Sequence, residues 1–311
     1  MMPRLLTCGI VTWDWLFRVD EIPAMPAEIE ALDCVGTGGG MAASAACAIG
    51  RLGGEIEFWG RCGDDGIGDD ILSDMRGYGV RVDRVRRVAG RGSPVSAILI
   101  DRLGERMIVP YYDPDLDQDP SWLPVADIGR FDGVMVDARW PAGAARALDA
   151  ARDAGAIAML DADLAPHDIL EDLMARATHV VWSEAALTDW SGSADPGTGL
   201  RAARRRFEGF LGVTVGAAGF RWLDDGILRG EPAPAVTAVD TLAAGDVFHG
   251  AFLLALAEGR DIATAARFAN IAAAFKCARF GSRTTTPTRA EVESFLAGWK
   301  PPSSPQTGGQ P

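Results

Sequence analysis

Apolar residues along the chain recur in two rhythms that alternate. Short, nearly unbroken apolar runs stand at 4–11 (RLLTCGIV), 55–60 (EIEFWG), 132–137 (DGVMVD), 156–163 (AIAMLDAD), 179–183 (HVVWS) and 211–217 (LGVTVGA). Each is bounded by Gly, Asp or Ser and reads as a buried strand. Between them, the stretches 41–52, 67–78, 142–154, 166–175 and 200–210 are Ala-rich or amphipathic and read as helices. Strand and helix in repetition predict an α/β fold, a three-layer arrangement with a mostly parallel central sheet and helices on both faces. The last third turns helical, over 245–258 and 262–279.

Two segments break the rhythm, 14–36 and 94–110. The second, PVSAILIDRLGERMIVP, reads as a hairpin with DRLGE at its turn. Neither carries a crossover helix, so both are assigned to a small antiparallel sheet protruding from the main body as a lid. The predicted organisation is one α/β domain over 1–299, with lid segments at about 14–36 and 94–112 inserted. A Pro/Gly/Ser-rich tail, 300–311 (KPPSSPQTGGQP), reads as disordered.

Composition narrows the class. The chain has 311 residues, with a net charge of −13 that argues against a nucleic-acid-binding face. The five cysteines include no CxxC pair, which argues against a zinc ribbon or a redox pair. No apolar run is long enough to span a bilayer, and the N-terminal stretch does not read as a signal peptide. The expectation is a cytoplasmic protein with no membrane partner.

The chemistry concentrates at 240–250, DTLAAGDVFHG, followed by an apolar helical run. Small residues before a helix let backbone N–H groups approach a ligand. The first-turn amides have no internal partner and, with the helix dipole, favour a developing negative charge. Asp246 beside them is placed to accept a proton. The plainer reading is a helix N-terminal carboxylate and no more. The stretch closely resembles the C-terminal signature DTxGAGD of the PfkB/ribokinase family of carbohydrate kinases, with Ala243 where Gly is usual. That resemblance implies Asp246 as the catalytic base, and Ala243, Ala244 and Gly245 as an anion hole for the transferred phosphate.

Other segments extend the resemblance over roughly 5–297. The stretch 36–54, GTGGGMAASAACAIGRLGG, has Met41 where a dinucleotide GxGxxG would need Gly. It is similar instead to the family's N-terminal signature, which implies sugar contact at Gly39, Gly40 and Ser44, Ser44 standing where Asn is usual. Asp14 in TWDW matches the family's sugar-binding Asp. The stretch VTVGAAGF resembles the nucleotide loop, implying Thr214, Gly216 and Gly219; the late helix implies Asn270, and the turn after it implies Gly281 as a nucleotide or cation contact. The implied cofactors are ATP and Mg²⁺, with K⁺ or another monovalent cation against Asp240 and Leu242 as a further implication. The family's metal-side NxxE is replaced here, with Ser183 and Ala186 at its ends and Glu184 out of register.

Arg139 in VDARW sits where relatives carry an acid; its planar fork suits carboxylate, sulfonate or phosphate. A salt bridge with Asp137 or a nearby acid is the alternative. Within the family the resemblance runs closest to the sulfofructose kinase branch. Two of that branch's three anion contacts are missing, since Pro110 and Glu28 stand at their positions. The reading is therefore ATP-dependent phosphorylation of a primary hydroxyl of a small sugar: a ketose, a sulfosugar or a sugar acid. Alternatives are a nucleoside kinase of the same fold, with Trp13, Trp15 and Trp140 as stacking candidates, and a non-catalytic sugar-binding protein. The resemblance also implies a homodimer paired through the lid sheets.

Overall fold

The computed structural model describes residues 2–299; the tail expectation falls outside that span. In chain order the elements are β1 (Arg4–Gly9), β2 (Thr12–Arg18), β3 (Asp33–Gly39), α1 (Met41–Arg51), β4 (Glu55–Gly63), α2 (Gly66–Gly77), β5 (Val85–Val88), β6 (Val95–Ile100) and β7 (Arg106–Tyr111). Then come β8 (Gly133–Asp137), α3 (Pro141–Asp153), β9 (Ile157–Ala162), α4 (His167–Arg176), β10 (His179–Ser183), α5 (Glu184–Ser191), α6 (Pro196–Arg204) and β11 (Phe210–Thr214). The chain continues with β12 (Phe220–Asp224), β13 (Ile227–Glu231), α7 (Ala244–Ala257), α8 (Ile262–Cys277) and α9 (Arg289–Gly298).

Nine strands form the main sheet in the order β13-β12-β11-β10-β9-β8-β1-β4-β5. All pairs from β11 to β5 are parallel, and the β12–β13 hairpin adds two antiparallel strands at one edge. The parallel strands are apolar on both sides because both faces are covered. Successive residues feed opposite cores. Leu5, Met135, Met159 and Val181 pack with α1, α7 and α8 on one face. Leu6, Val134, Leu160 and Val180 pack with α3, α4 and α6 on the other.

The second sheet, β3-β2-β6-β7, is the predicted lid. Its β6–β7 hairpin turns at 101–105, and β2–β3 is antiparallel. It is not wholly antiparallel, however: β2 pairs with β6 in parallel, because these strands come from two separate excursions of the chain. One predicted helix is displaced. The 200–210 assignment is α6, which starts earlier, where Asp195 caps Thr198 N–H and Pro196 opens the first turn. Phe210 already begins β11. The short α5, the terminal α9 and the β12–β13 hairpin were not anticipated from the pattern.

Candidate active site

A cavity of about 460 Å³ lies across the carboxyl ends of the parallel strands and under the lid. Ile10, Arg139, Asp161, Asp163, Ser183 and Thr214, which follow or close β1, β8, β9, β10 and β11, all face it. Ligands of open α/β sheets gather at this edge, where loops rather than paired backbone line the space. Asp137 knits the edge together. Fully buried, its carboxylate accepts the amides of Ile10 at 2.8 Å, Arg139 at 2.9 Å and Ala42 at 3.1 Å. One side chain thereby ties the ends of β1 and β8 to the start of α1.

From the lid side, β2 brings in Asp14, whose Oδ1 accepts the Thr12 hydroxyl at 2.7 Å. Burial pushes the Asp14 carboxyl above its ordinary range, opposed by bonds from Thr12 and Ser96. Gly39 lies directly against it: a Cβ there would overlap the Asp14 carboxylate. Gly40 then opens α1, and Ser44 on its first turns places a buried hydroxyl, without a partner among the described residues, on the cavity wall. Arg139 also lines the cavity. Its backbone amide goes to Asp137, but among the described residues its guanidinium has only a loose ion pair, 3.9 Å to Asp163. Glu28 is exposed and lines neither this cavity nor the next, whereas Pro110 lines this one.

The N-terminus of α7 enters from below. Ala243 is its N-cap at φ 62°, and no side chain caps the helix. The Ala244 amide is turned back to the Thr241 carbonyl at 3.2 Å. Of the amides ahead of the first helical bond, Val247 N–H to Ala243 O, those of Gly245 and Asp246 therefore have no backbone acceptor among the described residues. Asp246 lines the same cavity, and its carboxyl is held well above the ordinary carboxylate range by burial and by the neighbouring Asp161. Burial lowers the pKa of His249, one turn on, from its ordinary value. Its Nδ1 donates to the Gly245 carbonyl at 2.8 Å, a tautomer assigned because a carbonyl only accepts, and its Nε2 faces Asp161 Oδ1 at 3.5 Å.

A second cavity, about 430 Å³, adjoins the first and shares Thr214, Thr241, Ala244 and Gly245 with it. Gly216 and Gly219 form its β11 end, both with positive φ; a Cβ on Gly219 would strike the Glu231 carbonyl. Asn270 lines it, but its Nδ2 donates to the Glu231 carbonyl at 2.9 Å, so this amide shapes the pocket wall. Gly281 lines neither cavity. Its amide donates to Asp240 Oδ2 at 3.1 Å, which puts this turn beside Asp240.

Several residues at the site carried no signal of their own in the sequence. Arg106 on β7 lines the first cavity, and its Nη1 donates to Thr241 Oγ1 at 2.7 Å, tying the lid to the loop before α7. Asp161 and Asp163 are separated by one residue, but only the sheet places them opposite Asp246. Ser183 caps α5 through Ala186 N–H and donates to Asp163 Oδ1 at 2.8 Å; Ala186 is buried and Glu184 points away into solvent. The aromatic candidates are not at the cavity: Trp140 is fully buried and stacked on Trp122, and neither Trp13 nor Trp15 lines it.

The family model described as pfkB family carbohydrate kinase matches residues 2–289. Ribokinase of Bacillus subtilis (strain 168) is 27% identical over 298 residues, 95% of this chain and all of that protein. Fructokinase of Klebsiella pneumoniae is 30% identical over 280 residues, 83% of this chain and 91% of that protein. The crystal structure of a candidate ribokinase from Agrobacterium tumefaciens superposes with a TM-score of 0.93 at 40% identity, covering 96% of this chain and 99% of that one. An Arabidopsis thaliana ribokinase solved with ribose and ATP shares the fold, with a TM-score of 0.80 at 23% identity. The chain belongs to the PfkB family of ATP-dependent carbohydrate kinases.

Proposed function

We propose that the chain transfers the γ-phosphoryl group of ATP to a primary hydroxyl of a small sugar that carries an acidic group, with Asp246 as general base. The observation that carries this reading is the meeting of two cavities over the N-terminus of α7. One holds Asp14, Ser44, Arg139 and Asp246, the polar set for a sugar. The other is apolar, with Asn270, Ala273 and Ala274 on its wall, and suits an adenine. The free amides of Gly245 and Asp246 stand between them, where charge develops on the transferred phosphoryl group.

In this reading Asp246 removes the hydroxyl proton as the oxygen attacks in line. Its raised pKa makes it a stronger base than an ordinary carboxylate. Magnesium bound to ATP supplies charge neutralisation on the phosphates. With alanine at 186, the hard oxygen donors on that wall are Asp161 and Asp163, the latter held by Ser183. An acidic substrate is favoured by two arginines, Arg106 and Arg139, facing one sugar-sized cavity. A sulfosugar and a sugar acid fit that chemistry equally.

Pairing of two copies through their lids fits the outer face of the small sheet. Strand register places Trp13, Val95 and Tyr111 in one row, Trp15, Ala97 and Val109 in the next, and Phe17, Leu99 and Met107 in a third. This apolar face points away from the cavity; Trp13 packs against the main core, whereas Trp15, Met107, Val109 and Tyr111 are exposed, Val109 by 62%.

The test is ADP formation with Mg·ATP across fructose, sulfofructose, ribose, 2-keto-3-deoxy sugar acids, fructose phosphates and nucleosides. An acidic sugar should be preferred, and Arg139→Ala should raise its KM about tenfold or more while leaving the KM for ATP near wild type. Preference for a neutral sugar, or an unchanged sugar KM in Arg139→Ala, would refute the acidic-substrate reading.

A further inference from the structure

A monovalent cation at Asp240 and Leu242 is implied by the family resemblance, and the donor atoms there do not fit one. Asp240 is fully buried and every acceptor it offers is taken. Its Oδ1 accepts the Leu242 amide at 2.8 Å, and its Oδ2 accepts the amides of Ser282 at 2.7 Å and Gly281 at 3.1 Å. The remaining partner is Lys276, in the last turn of α8. Its Nζ donates to the Asp240 carbonyl at 2.6 Å and lies 3.2 Å from Oδ2. A lysine near a helix C-terminus ordinarily runs its ammonium out to water. Here the side chain is 0% exposed, and so is that of Asp240.

We propose that the Lys276 ammonium is a built-in replacement for the monovalent cation beneath the α7 loop, so that this kinase works without K⁺. An ammonium is a compact unit charge with three donors, and it binds carbonyl and carboxylate oxygens much as a bare cation does. A free cation at the same carbonyl would face the ammonium at close range in a buried site, and the two would repel strongly.

The position matters because of what Asp240 holds. Through Leu242, Gly281 and Ser282 it pins both chain segments beneath the α7 entry. The next carbonyl, of Thr241, accepts the Ala244 amide, and Ala243 then takes its left-handed turn into the helix. Lys276 therefore acts as a positioning residue, setting the loop that aims the free amides of Gly245 and Asp246. A tethered charge does not dissociate, so its effect does not follow mass action as a bound ion's would.

The experiment compares the full-length protein in KCl and in tetramethylammonium chloride at equal ionic strength. It reads the melting temperature and ADP formation with the best sugar of the panel. The wild type should show equal melting temperatures in the two salts and turnover equal within about twofold. Lys276→Met should lose at least about tenfold in tetramethylammonium and recover with K⁺ or ammonium, which enter the vacated position. Activation of the wild type by K⁺ beyond about fivefold, or a melting temperature that climbs with K⁺, overturns the proposal. So does a folded Lys276→Met that keeps wild-type turnover in tetramethylammonium, or one whose loss K⁺ does not repair. If Lys276→Met does not fold, the wild-type comparison decides alone. If every sugar is silent, the acidic-sugar reading fails but the melting comparison still judges this one.

Discussion

At Asp246 a carboxyl lies below two free amides and inside the field of Asp161, Asp163 and Asp137. Catalysis and stability pull in opposite directions there. Because the folded state raises this pKa above its ordinary value of 3.8, the folded chain holds the proton more tightly than the unfolded one. Its contribution to stability is complete below that ordinary value and is lost as pH rises through the raised value. In the proposed mechanism the base form that takes the sugar proton exists only above the raised value. Activity should therefore fall as pH drops through it. Asp246→Asn should lower kcat by roughly 10²–10⁴-fold. It should also raise the melting temperature at neutral pH, measured by calorimetry, because no charge is then forced into the site. A melting temperature unchanged or lowered would mean that Asp246 is not strained in the native state.

The element that organises the site is α7, and its entry carries a stored conformational cost. Ala243 adopts φ 62°, a left-handed conformation that costs an L-residue about 1–2 kcal/mol. Glycine would remove that cost but would add about 0.4–1 kcal/mol of entropy to the unfolded chain. Ala243→Gly should therefore stabilise the protein by about 1 kcal/mol or less, read as a denaturation midpoint shifted up at unchanged m-value. A midpoint shifted down would show that the Ala243 methyl is held by contacts worth more than the backbone strain. The same entry shows how elements from distant parts of the chain meet. Arg106 comes from the lid, Lys276 from the end of α8, and His249 from one turn further along α7; all three bind the 240–246 segment or the carbonyls beside it.

Across the whole molecule, the lid sheet has two faces with different work. Its inner face carries Asp14, Ser96, Arg106 and Pro110 to the cavity. Its outer face is apolar in three successive rows, and β7 is an open edge. With lid-to-lid pairing as the cover, wild-type protein should sediment as a dimer, and Val109→Asp should sediment as a monomer with its fold retained. A wild-type monomer at micromolar concentration would sink the lid-pairing proposal. No helix among the described residues is long and apolar enough to cross a membrane.

The alternation of apolar runs with helical stretches was sufficient for the layered parallel sheet, because a strand covered on both faces must be apolar on both. The lid hairpin was legible from DRLGE, whose residues suit a turn. Asp246 and the small residues before it were legible too, because a helix N-terminus and its adjoining carboxylate are local features a dozen residues contain. What the linear order could not reveal is everything made by convergence. Asp161 is an ordinary strand residue until β9 lies beside β8 and beneath α7. Arg106 is a solvent-facing hairpin residue until the lid folds over Thr241. Gly281 reads as a nucleotide or cation turn, and Lys276 carries no signal, until α8 ends against Asp240 and both turn their donors inward. Local propensity determines such residues' backbone, but their chemistry depends on which neighbours remove them from water, and only the tertiary structure chooses those.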